Sequence, residues 1–211
     1  MTGKLFKCGL IVLVAIFLVY HSIYFKKLDE VKKGVSQNAF NAARYARSFF
    51  DDKLPARLDS AIELNSLLSL LKTEPENAFS KYSRALAMGN IHYFLVKGEG
   101  AVATSAEDAV TIVPAGDSSK RNVRIETEFV YGNAIRDASG LVSLNDFSNT
   151  ADLNSISEQV NKIIRSEVLP SFKQKVKVGD KIKFVGAIEL NKAHLELDSL
   201  SITPIQLTFL K

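Results

Sequence analysis

Two groups of side chains in this sequence are chemically capable, and both fall within residues 123–149. The first is the adjacent pair Arg136 and Asp137. A guanidinium fork matches a carboxylate or phosphate, and a neighbouring carboxylate can hold it in place. The bland alternative is a local ion pair at a turn, with Asp137 bonding nearby backbone amides. The second group is Asn145, Asp146 and Asn149, whose oxygen atoms would suit a sugar or a hard cation. The spacing of a calcium loop is absent, and Asx residues capping a loop before a helix account for the same pattern without a ligand. These five residues are the candidate ligand or partner contacts.

Other chemistries find no support. There is no G-x-S-x-G elbow, no phosphate-binding loop and no dinucleotide fingerprint; Gly98-Glu99-Gly100 is a pair of glycines within a strand. The single cysteine, Cys8, and the histidines His21, His92 and His194 do not make a zinc set. The expectation is therefore a non-enzymatic protein with no catalytic residue, metal or cofactor. Charge argues in the same direction for partners. The chain carries 27 basic and 23 acidic residues, net +4, and two of the lysines, Lys4 and Lys7, precede the apolar run. A nearly neutral body lacks the basic footprint of a nucleic-acid binder, so no nucleic-acid partner is expected.

The elements that position these residues begin with an anchor. Residues 8–25, CGLIVLVAIFLVYHSIYF, span about 27 Å as a helix, enough to cross a hydrocarbon core with flanking lysines at the interface. Tyr20, Tyr24 and Phe25 cluster at one end as an interfacial belt would. The residues after the run lack the small side chains of a cleavage site, so an uncleaved signal anchor is expected. The predicted topology is single-pass in the inner membrane with the body in the periplasm.

A helical segment then covers residues 28–90. Val31, Val35, Ala39, Ala42, Ala46 and Phe49 recur every three or four residues, an apolar stripe for packing. Pro55 is expected to end this helix, and a second helix follows with Leu58, Ile62, Leu68 and Leu71 on its face. Pro75 opens a third, which Gly89-Asn90 ends. Residues 91–211 alternate with period two: a strand over 93–102, another over 109–113, and a third and longest over 123–131, with a further strand or pair around Ile135 and Leu141. A helix over about 152–169, capped by Asp152 or Ser155, buries Ile156, Val160, Ile163, Ile164 and Val168 and ends at Pro170. Closing strands follow from Lys181. The fold class is α+β: an N-terminal transmembrane helix (1–27), a helical stalk (28–90), and a small, mostly antiparallel β-barrel (91–211) like the oligonucleotide/oligosaccharide-binding (OB) fold, with one inserted helix.

A series of motifs also carries a family likeness. Gly132-Asn133-Ala134-Ile135-Arg136-Asp137-Ala138, Asn145-Asp146-Phe147-Ser148-Asn149, Val160-Asn161, Gly186-Ala187 and Ile202-Thr203-Pro204-Ile205 stand in this order. The series resembles the bacterial family called domain of unknown function 2291, periplasmic lipoproteins or membrane-anchored proteins. The resemblance implies an α+β envelope protein, often encoded beside sugar-type ABC transporter components, and supplies no catalytic residue. Cys8 stands at the start of the apolar run and not after it, so a transmembrane anchor takes the place of the lipid. Together these readings suggest a tethered accessory or binding module, with ABC transporter components or a periplasmic binding protein as partners. A barrel that binds a sugar, nucleotide or cation directly is the alternative.

Overall fold

The computed structural model describes residues 13–14, 17–18, 20, 40–86, 88–117, 121–147 and 149–210. The chain divides into two compact units, Met1–Phe40 and Asn41–Lys211. In the first, Leu13, Val14, Phe17, Leu18 and Tyr20 are helical and exposed. No helix among the described residues is long and apolar enough to cross a membrane. Most of the expected span at 8–25, and the stalk positions Val31, Val35 and Ala39, lie outside the described residues.

The second unit is a ring of strands with helices laid on it. Helix α1 (Ala42–Ser48) is capped by Asn41, whose side chain accepts from Arg44 N–H. Its stripe is the predicted one, with Ala46 and Phe49 buried. Pro55 does not end the helical path. The chain widens by one residue over Phe49–Lys53, with Leu54 N–H donating to Phe49 C=O five residues back, and continues as α2 (Leu54–Leu58). A proline has no N–H to give and crowds the carbonyl four residues earlier; a wide turn ahead of it relieves both faults.

Ile62 was expected on a helix but pairs in parallel with Val96, making β1 (Ile62–Glu63), and α3 (Leu64–Thr73) begins after it. Pro75 sits in the first turn of α4 (Pro75–Tyr82), as predicted. That helix ends at Tyr82 and not at Gly89-Asn90, because β2 (Ser83–Arg84) is drawn into pairing with Phe94 and Tyr93.

Five strands close on themselves. These are β3 (Ile91–Ser105), β4 (Ala109–Pro114), β5 (Val123–Glu126), β6 (Lys181–Asn191) and β7 (Ser201–Phe209), paired in the order β3-β4-β5-β7-β6 and back to β3. All pairings in the ring are antiparallel except β5 with β7. The strand expected to reach residue 131 stops at Glu126. Thr127 turns away, its N–H bonding Asp108 C=O and its hydroxyl bonding Glu107 C=O, so the loop before β4 takes over the groups that would have continued the ladder. The expected strand around Ile135 is a helix, α5 (Ala134–Ser139), closed by Gly140 in the left-handed conformation at φ 64°. A left-handed residue is a standard helix stop and favours glycine. After β6 a single strand follows, β7, with an isolated bridge between Asn191 and His194.

The helix over 152–169 begins earlier and runs further. Helix α6 (Thr150–Ile163) is capped by Asn149, in place of Asp152 or Ser155. It passes through a second wide turn, where Leu169 N–H donates to Ile164 C=O, into α7 (Leu169–Lys173). Pro170 lies inside this path for the reason that Pro55 does. Arg47 joins the two wide-turned helices through a two-pronged ion pair with Glu167.

Alternation along the strands builds two apolar cores. Phe94, Val110, Ile112, Ile125, Phe184 and Ile202 belong to the core within the ring, to which α3 and α4 add Leu64, Leu67, Leu71 and Phe79. Leu95, Val185, Ala187 and Ile205 point the other way and pack against α1, α2, α5 and α6. Gly186 stands where β6 and β7 slip register. A Cβ there would lie 2.4 Å from Ile202 Cγ2 and 2.6 Å from Thr203 C=O. A strand backbone cannot yield as a side-chain tip can. Gly186→Ala is expected to cost about 1–3 kcal/mol by overpacking, read as a fall in the denaturation midpoint at unchanged slope.

Candidate functional site

Arg136 and Asp137 sit on α5, which packs on the outer face of β3 and β6 and touches α6. They are 4% and 6% exposed. Arg136 Nε donates to Asp137 Oδ1 at 2.6 Å, Nη2 to Oδ2 at 3.2 Å, and Nη1 to Leu153 C=O at 2.8 Å. The fork is thus turned inward, bidentate on its own neighbour, with its remaining arm fastened to α6. Ser139 hydroxyl closes the helix by donating to Arg136 C=O, and Arg57 Nε donates to Ser139 C=O from α2. A buried charge pair costs desolvation that only good geometry offsets. Here the pair fixes the spacing of α5, α6 and the ring.

The second group falls into two places. Ser143 and Asp146 form a reciprocal cap around the short turn Leu144–Asp146. Asn149 caps α6, accepting from Asp152 N–H at 2.9 Å and donating to Asp152 Oδ2 at 3.0 Å. Removing an N-cap side chain costs on the order of 1 kcal/mol. Asn149→Ala should lower the unfolding free energy by that amount and Asn149→Ser should restore most of it, as measured by urea denaturation. The structure brings Asp137 and Asn145 together at a hollow of about 340 Å3, rimmed by Arg84, Leu86, Gly140 and Ser143. Arg84 approaches closely enough that a Cβ on Gly140 would lie 3.0 Å from its Nε, and its Nη1 donates to Ser83 C=O. Arg136 and Asn149 do not line this hollow. Tyr93 lies near the buried pair: burial first, then the carboxylates of Glu189 and Asp137, push its phenol up to about 12, while Arg136 opposes them.

Sequence reasoning passed over the loop between β5 and α5. Phe129 and Tyr131 are 61% and 64% exposed on either side of the buried Val130. Arg165, from the second wide turn, holds this loop by donating to Val130 C=O, and its guanidinium lies 4.7 Å from the Tyr131 ring centre. Lys173 secures the same loop through Glu128 at 2.6 Å. Two large aromatics facing water next to an Arg are residue types that anchor protein interfaces. The signal was present in the sequence as T-E-F-V-Y-G, but alternation made it look like strand. The outward side of β4 and β5 is different in kind. It carries Thr111, Val113, Arg124 and Glu126, and Arg124 is already held by Asp108 at 2.8 Å and Glu126 at 2.7 Å. Among the described residues, no group of three or more His, Cys, Asp or Glu side chains is placed to hold a metal ion.

A family model described as predicted periplasmic lipoprotein (DUF2291) matches residues 13–208. The chain belongs to this family. Of the motifs named above, residues 134–138 build α5 and its ion pair, Asp146 and Asn149 serve as caps, and residues 202–205 lie on β7. The chain is also similar to a solved structure titled an OB-fold protein from Thermotoga maritima MSB8, 23% identical, covering 82% of this chain and 100% of that one, with a TM-score of 0.73. That likeness speaks to fold, and it agrees with a ring in which β5 and β7 are the parallel pair and a helix enters between β5 and β6. No curated protein matches the chain. Membership in this DUF2291 family supports a place in the cell envelope.

Proposed function

We propose that this protein is a membrane-tethered periplasmic accessory module without enzymatic activity, which contacts another envelope protein through the Phe129–Tyr131 loop. The observation that carries this reading is the pair of exposed aromatics on a loop fastened at three points, by Arg165 at the Val130 carbonyl, by Arg165 on Tyr131, and by Lys173 at Glu128. A rigid apolar projection loses little conformational freedom when a partner covers it. Components of a sugar-type ABC transporter, or the periplasmic binding protein serving it, are the partners this reading favours, from the family resemblance and the envelope location. Nucleic acid is disfavoured by the near-neutral charge and by the self-satisfied Arg124 on the outer face of β4 and β5.

The test is capture of the full-length protein from solubilised membranes after formaldehyde cross-linking. Recovery of a transporter component or binding protein, lost in Phe129→Ala/Tyr131→Ala, supports the reading; recovery of neither, or equal recovery with the double variant, ends it. A second reading rests on the hollow that joins Arg84, Asp137 and Asn145, which would take a sugar, nucleotide or cation. A thermal-shift screen of those ligands at millimolar concentration decides it: a flat response in the native protein removes the hollow from consideration.

A further inference from the structure

The ring has a gap along β7. Strand β5 pairs with β7 at Ser201 and Ile202 alone and then leaves at Glu126, so from Pro204 onward the side of β7 that faced β5 has no strand beside it. The register with β6 says which groups this exposes. Leu210 N–H donates to Lys181 C=O directly opposite, so residues 206 and 208, opposite Val185 and Lys183, are the ones that exchange hydrogen bonds with β6. Leu207 and Phe209 therefore point their N–H and C=O groups the other way, into the gap. Among the described residues, no hydrogen bond reaches them there. Pro204, with no N–H, stands where β5 departs.

Beside this edge lies a groove of about 550 Å3. Ile205, Gln206, Leu207 and Thr208 all line it, although their side chains alternate between faces; consecutive residues share one groove when it runs along a strand's edge. The two wide turns form its walls. Phe50, Asp51, Leu54 and Pro55 stand on one side, and Val168 and Ser171 on the other. The groove's surface is mixed, with Phe50 and Val168 as partly exposed apolar side chains and Asp51 as the one charged side chain among the lining residues. The edge from Ile205 to Phe209 is about 17 Å long at a strand's rise.

We propose that this groove receives an extended peptide segment of a partner protein, which adds to β7 as a further strand. Its backbone pairs with the outward N–H and C=O groups of Leu207 and Phe209. Its apolar side chains, at alternate positions, lie on the partly exposed Phe50 and Val168, and a lysine or arginine faces Asp51, which is half-exposed and, among the described residues, paired only with Arg47 at 3.5 Å. Strand addition to a sheet edge draws affinity from such main-chain bonds and specificity from flanking side-chain contacts. Main-chain groups at alternate positions of a strand edge are met by an extended backbone, so the occupant is an extended segment of a partner protein, and pairing with the β7 of a second copy is an outcome that the test distinguishes. The inference is independent of the Phe129–Tyr131 contact and of any transporter.

The test uses the full-length protein in detergent and a fluorescein-labelled nine-residue peptide alternating valine and threonine with one central lysine. The expected result is saturable binding by anisotropy, with hydrogen exchange at Leu207 and Phe209 fast in the free protein and slowed by the peptide. N-methylation of alternate peptide amides on the pairing side should weaken binding about tenfold or more. Leu207→Ala controls for the packing that Leu207 makes on both cores; Leu207→Pro in addition removes a donor that faces the groove while sparing the β6 ladder, and should abolish binding where the alanine variant keeps it. Should the proline variant not fold, Asp51→Lys serves: it should prefer the peptide with glutamate in place of lysine. Slow exchange at Leu207 and Phe209 without peptide, binding indifferent to N-methylation, or a concentration-dependent dimer that protects the same amides would overturn the proposal.

Discussion

Replacing Arg136 with methionine is expected to destabilise the body by about 3–5 kcal/mol, the cost of leaving a buried charge without its partner. At roughly 2–4 °C per kcal/mol for a protein of this size, the melting temperature should fall by about 6–20 °C. Asp137 is 6% exposed, and both its oxygens are engaged by Arg136 at 2.6 and 3.2 Å; the variant leaves that carboxylate in an apolar seam with α6. The double variant Arg136→Met/Asp137→Leu should recover much of the loss, because the desolvation of both ions disappears together with their attraction. Leu153 C=O loses a donor in either case, so recovery should stop short of the native value. Thermal melts of the full chain in detergent measure the double variant beside Arg136→Met and Asp137→Leu alone. An additive double variant, as unstable as the two single changes summed, would mean that the pair is not a unit.

Phe184→Ala is expected to cost about as much, on the order of 3–5 kcal/mol, for an unrelated reason. The ring is fully buried inside the strand ring and lies across from Gly98 on β3. A Cβ on Gly98 would be 2.9 Å from Phe184 Cζ, so the glycine supplies the space that the aromatic fills. Truncation leaves a cavity whose walls are strands pinned by hydrogen bonds on both sides, which limits collapse. Phe184→Leu should lose less, and adding Gly98→Ala to that variant should regain part of the deficit by refilling the same volume. In the native background Gly98→Ala alone should destabilise, since nothing has made room for it. Urea denaturation resolves each of these signs.

The parts of this molecule that were legible in its sequence are those where one period holds over a long enough run. Ile156, Val160, Ile163 and Ile164 keep helical spacing for two turns and are buried as read, and the alternation from Tyr93 to Val102 and from Ala109 to Val113 gives β3 and β4 within a few residues. Helix α5 failed that condition. Six residues with Ile135 as the one large apolar side chain carry no period, and its true stop, Gly140, also suits a strand turn. The wide turns were illegible for a subtler reason: proline normally ends a helix, and the remedy of inserting one residue leaves no compositional mark. Arg136 and Asp137 stood out as a pair, but whether a guanidinium turns outward to a ligand or inward to its neighbour depends on the packing of α5 beneath α6, residues far apart in the chain. The caps were legible in kind, and Asn149 proved to be the one at α6.

The order in which the ring is built has a consequence for the newly made chain. Strand β3 is complete roughly a hundred residues before β7, yet β7 is what joins β5 to β6. At about 5–20 residues per second, synthesis leaves the strands and their apolar faces waiting on the order of 5–20 s for the piece that closes them. During that interval β5 offers a bare edge, and so does β3 until β6 has been made. Until residue 209 has emerged the ring cannot close, and its apolar faces and bare edges are open to pairing with other chains.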